Sequence, residues 1–178
     1  MSWMDQVGSL LKKYTAGGTA AAAAPAPDVH AHFDQVAQAA PPSAMAEGLA
    51  AAFRSDQTPP FGTMVSTLFT NSDGDQKAGV LNHLLSSVSP SSLSKILPMA
   101  GLAGLAGDAG AQVTPAQAQQ ISPQAVQELA THAEKNDPSI VGSLSSFYAQ
   151  HSALVKTLGG SVLTVALAKI AQHQNQPH

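Results

Sequence analysis

Apolar positions along this chain recur at intervals of three and four residues. Trp3, Val7, Leu10, Leu11 and Tyr14 fall at i, i+4, i+7, i+8 and i+11, which puts them on one face of an amphipathic helix at the start of the chain. Ser2 and Asp5 form a variant of the capping box ahead of that stripe, and Lys12 and Lys13 fall in its last turn, where the helix dipole favours cations. Phe33, Val36 and Ala37 keep the same period, as do Met45, Leu49, Ala52 and Phe53. So do Met64, Val65, Leu68 and Phe69, and then Leu81, Leu84, Leu85 and Val88. Val126, Leu129, Ala130 and Ala133 make a further stripe, followed by Ile140, Val141, Leu144, Phe147 and Tyr148. No segment alternates apolar and polar residues over the length of a strand, and β-branched residues are sparse. The pattern therefore predicts an all-α chain.

The breaks between stripes carry helix-start chemistry. Ser89-Pro90, Thr114-Pro115, Ser122-Pro123 and Asp137-Pro138 each place a capping side chain directly before a proline suited to the first helical position. Many short helices joined by such turns predict an irregular bundle. Residues 1–14 form the amphipathic docking helix, and residues 15–27, rich in Gly, Ala and Pro, read as a linker that cannot pack a core. A helical domain is expected over 28–172, with a polar, frayed tail at 173–178. Glycine at every third position from Gly101 to Gly110 reads as a flexible connection, since each glycine costs a helix about 1 kcal/mol relative to alanine. Leu81–Val88 aligns with Val155–Val162, and Lys95-Ile96 with Lys169-Ile170, at the same offset. A duplication would make two similar halves, 28–100 and 111–172, around that connection. Leu154–Ala171 is strongly apolar but carries Lys156 and Lys169, which predicts a buried core helix rather than a membrane span.

Composition narrows the function classes. Only 11% of residues are charged and 4% aromatic, and the net charge is -3 with a single arginine, Arg54. Such a chain has no basic surface to neutralise phosphates, so no nucleic-acid partner is expected. The absence of cysteine excludes disulfides, thiolate metal sites and cysteine nucleophiles. Met1-Ser-Trp-Met-Asp-Gln-Val lacks the positive and apolar regions of a signal peptide, so a cytoplasmic location is expected.

Candidate chemistry is sparse. Asp28-Val-His-Ala-His-Phe-Asp34 superficially resembles a metal-binding strand of amidohydrolases, but no large barrel could surround it here. On a helix, His30 and Asp34 would share a face, one ligand short of a catalytic zinc site. Asn71-Ser-Asp-Gly-Asp75 matches a calcium loop only in composition, and Ser72 with Asp75 is expected to cap the next helix instead. Glu128 and His132, at i and i+4, read as a surface pair. No Gly-x-Ser-x-Gly elbow and no phosphate loop is present. The expectation is a non-enzymatic protein with no metal site and no cofactor.

Met1-Ser-Trp-Met-Asp-Gln-Val-Gly-Ser-Leu-Leu11 resembles the start of the small bacterial YidB-like proteins, a family of unknown function. Pro60–Phe69 and Gln76–Leu85 are similar to stretches of bacterial proteins of that general type. The resemblance implies a bacterial, all-α, non-enzymatic protein and carries over no catalytic residue. The functional expectation is a structural or adaptor protein acting on itself or another protein through Trp3, Val7, Leu10, Leu11 and Tyr14. The alternative is a peripheral membrane-surface protein using the same helix, with Lys12 and Lys13 at the headgroups.

Overall fold

The computed structural model describes residues 3–16, 28–99, 101–103 and 112–174; side chains of residues 3, 4, 6, 13–16, 173 and 174 are outside this description. In chain order the helices are α1 (Trp3–Ala16), α2 (Val29–Ala39), α3 (Pro42–Phe53), α4 (Phe61–Asn71), α5 (Gly74–Ser87) and α6 (Pro90–Met99). There follow α7 (Pro115–Gln119), α8 (Pro123–Asn136), α9 (Ile140–Ala149), α10 (Ser152–Val155), a 3-10 turn (Lys156–Leu158) and α11 (Gly160–Gln174). No strand occurs among the described residues, so the chain is an all-α bundle of short helices.

Three of the four capping pairs open helices at the proline. Thr114 accepts from the Gln117 N–H while the Gln117 side chain accepts from the Thr114 N–H, a complete capping box, and Ser122 accepts from the Ala125 N–H. Asp137 differs. Its Oδ1 accepts from both the N–H and the hydroxyl of Ser139, and the helix opens only at Ile140. The cap of α5 also departs from expectation: Asp73 holds the capping box with Gln76, whereas the Ser72 hydroxyl donates back to Leu68 O at 2.6 Å. An N-cap must accept from the first turn, and only Asp73 is placed to do so. Replacing Asp73 by Ala is expected to cost about 1 kcal/mol in a denaturant titration, and Asp75→Ala much less.

Contacts divide the chain into two units, Met1–Pro59 with Ser145–His178, and Pro60–Leu144. The second unit is an insertion in the first, so the division expected at 28–100 and 111–172 is not the one found. The two aligned segments also differ locally. Leu81–Ser87 lies within one continuous helix, whereas its aligned counterpart crosses the 3-10 turn and breaks at Gly159, whose φ of +96° disfavours any residue with a Cβ.

In the first unit, α11 packs on α1, α2 and α3. Val162, Leu163, Thr164, Val165, Ala166 and Leu167 are consecutive and all buried, the signature of a helix enclosed on all sides. Thr164 satisfies its hydroxyl by donating to Gly160 O at 2.8 Å. The apolar run from Leu154 to Ala171 is thus a buried core element, interrupted at Gly159. Lys156 Nζ lies 3.0 Å from the Asp34 carboxylate, joining the 3-10 turn to α2.

In the second unit, α8 is the hub: α4, α5 and α6 pack on it, and α7 packs on α5. Asn82 holds the return from the glycine-rich segment, with its Oδ1 accepting from the Val113 N–H at 2.8 Å and its amide donating to Val113 O at 3.4 Å. The first residues of that segment are structured rather than a free connection. Leu102 N donates to Leu97 O at 2.7 Å and Gly101 N to Pro98 O at 3.3 Å, with Gly101 at φ +79° and Leu102 buried, which together form a Schellman cap on α6. Residues 104–111 lie outside the described residues. Of the linker expected at 15–27, residues 15 and 16 belong to α1 and 17–27 lie outside the described residues, as does the end of the tail at 175–178, while α11 runs into the expected tail as far as Gln174.

Candidate functional site

Helix α1 has 14 residues, at the lower limit of what persists as an isolated helix in water. Its stability has to come from burying the apolar stripe, and the first unit supplies the surface. α1 packs on α2 and α11, with Val7 and Leu11 only 3% and 4% exposed and Leu10 half-buried. Trp3 and Tyr14 belong to α1, but their side chains are outside the described residues. Of the stripe read from the sequence, Val7 and Leu11 are therefore covered by their own chain, where α1 packs on α2 and α11. Burial of these two side chains contributes on the order of 3–6 kcal/mol before the entropy of ordering α1 is counted.

The seat of α1 is built from distant parts of the chain. Val29, Phe33 and Val36 form the buried stripe of α2, and α11 supplies the enclosed core helix. Beside Val7 an open depression of about 420 Å³ is lined by Gln35, Gln38 and Ala39, all from α2. The periodicity of α2 was readable, but nothing in the sequence shows that it shares α1 with a helix at the other end of the chain.

The remaining candidates do not converge. His30 is exposed, and Asp34 is engaged by Lys156. Among the described residues no group of three or more His, Asp and Glu side chains comes together. Glu128 and His132 are exposed on α8, where they line a depression of about 300 Å³ with Gln124, Gln127 and Thr131. All five side chains come from one helix, so they form a polar face rather than an enclosed pocket. Tyr148 is fully buried, its hydroxyl has no hydrogen-bond partner, and burial pushes its phenol far above the ordinary tyrosine range. Its ring packs edge-on against Phe147 at 5.3 Å, the geometry of a core aromatic.

Comparison of the chain with family models, curated proteins and solved structures found no match. Among the described residues no helix is long and apolar enough to cross a membrane.

Proposed function

We propose that this chain is a non-enzymatic structural protein of the bacterial cytoplasm, akin to the YidB-like proteins, that self-associates through α1 and the face α1 covers. One observation supports the reading: Val7 and Leu11 of α1 are buried on α2 and α11, so the chain carries both an apolar helix face and the surface that fits it. Two complementary apolar surfaces on one chain make an element that can be satisfied within the molecule or between molecules.

Light scattering on the full-length chain from micromolar to millimolar concentration tests this. The mass is expected to rise with concentration for the natural sequence and to stay monomeric for Val7→Ala with Leu11→Ala. A monomer at every concentration sinks the reading. A wild-type-like rise in the double variant assigns association to another face and sinks it equally. Co-sedimentation with phosphatidylglycerol vesicles covers the rival, since capture by lipid would move α1 from a protein surface to a membrane surface.

A further inference from the structure

We infer that α11 closes the first unit: α1, α2 and α3 keep their packed state as one cooperative block that opens when α11 leaves, while the second unit, Pro60–Leu144, holds as a block of its own. α11 is the main packing partner of α3, and it packs on α1 and α2 as well. Without it, the packing of α1 on α2 is the one principal contact left among those three helices. α1 and α2 have 14 and 11 residues, lengths at which a helix is marginal in water unless packing supports it. α11 is buried around its whole circumference from Val162 to Leu167, so its departure uncovers all three neighbours together. Gly159, at φ +96°, breaks the path between the 3-10 turn and α11, which lets α11 move without Lys156–Leu158. The second unit has its own core, in which Leu68, Leu84 and Leu129 are fully buried around the hub α8, and its own capping boxes at Asp73 and Thr114. Order along the chain then sets the order of folding. The second unit is contiguous and complete once Leu144 is made, whereas α1, α2 and α3 are made first and wait for α11. At about 5–20 residues per second, the thirty residues 145–174 leave Val7, Leu11, Phe33 and Leu49 uncovered for a further ~2–6 s.

Native-state hydrogen exchange read by mass spectrometry on the full-length chain, with urea raised in steps below the unfolding transition, tests this. Amides of α1, α2, α3 and α11 are expected to exchange through one shared opening with one urea dependence, and amides of α4, α5 and α8 through another. Leu167→Ala empties a fully buried position of α11. It is expected to speed exchange in α1, α2, α3 and α11 alike by at least about 30-fold, while α4, α5 and α8 keep their rates. Ile170→Val is the milder change at a second buried position, expected to give an acceleration of about 2-fold to 12-fold across the same four helices, and it decides the matter should Leu167→Ala fail to fold. Separate openings for α1, α2 and α3, or an acceleration confined to α11, overturn the shared block. One opening for the whole chain, or equal acceleration in α4, α5 and α8, overturns the division into two.

Discussion

Gly48→Ala and Gly62→Ala are each expected to lower stability by about 1–2 kcal/mol, although alanine is the better helix former by about 1 kcal/mol. Both glycines lie in helices where a neighbouring helix leaves no room for a Cβ. A Cβ at Gly48 would collide with Ile170 Cγ1 and stand 3.0 Å from the Ala166 carbonyl oxygen on α11. At Gly62 it would collide with the Thr131 hydroxyl and stand 2.7 Å from the Gln127 carbonyl oxygen on α8. Backbone oxygens cannot rotate aside, so the helices themselves must separate and lose packing along their length. The cost at Gly62 should be the larger, because its nearest backbone atom is closer. Urea or thermal unfolding of the two variants measures this. A gain in stability at either position would mean that α3 with α11, or α4 with α8, does not approach as closely as described. Gly8 supplies the control: it is also helical, but nothing lies within 4 Å of the position its Cβ would take, so Gly8→Ala should not destabilise.

Tyr148→Phe should stabilise the chain by about 1 kcal/mol at neutral pH. A buried hydroxyl that makes no hydrogen bond has lost its water without compensation, and removing it keeps the ring packing while relieving that cost. The same residue sets a pH dependence. Burial raises the folded-state pKa above the ordinary value of 10.0, so the folded chain holds this proton where the unfolded chain releases it. The stability tied to the protonated phenol is fully present below about pH 10 and falls as pH rises beyond it, by about 1.4 kcal/mol per pH unit. Melting curves from pH 8 to pH 11.5 should show the natural chain weakening more steeply at the alkaline end than Tyr148→Phe. Equal slopes, or a destabilised Phe variant at neutral pH, would show that the hydroxyl is satisfied.

The helices were legible in the sequence because their causes are local. A stripe such as Met64, Val65, Leu68 and Phe69 has its meaning within two turns, and a cap such as Thr114 with Gln117 within one. Legibility failed where neighbouring residues offered equivalent local chemistry. Ser72, Asp73 and Asp75 can all cap a helix, and the choice of Asp73 depends on where α4 ends. The glycine run from Gly101 looked uniform, but burial of Leu102 turns its first residue into a helix cap.

What the sequence by itself determined is the all-α class, the position of most helices, and the amphipathic stripe of α1. Each follows from periodicity and capping, which act over a few residues. Only the tertiary structure decided that Pro60–Leu144 is inserted into a unit made from both ends of the chain. It alone also decided that Val7 and Leu11 are covered by α2 and α11, and that Gly48 and Gly62 have no room for a Cβ against α11 and α8. Apolar stripes of similar width and composition can pair in many ways. Which pairs form depends on shape complementarity between residues far apart in the chain, and no local pattern encodes that.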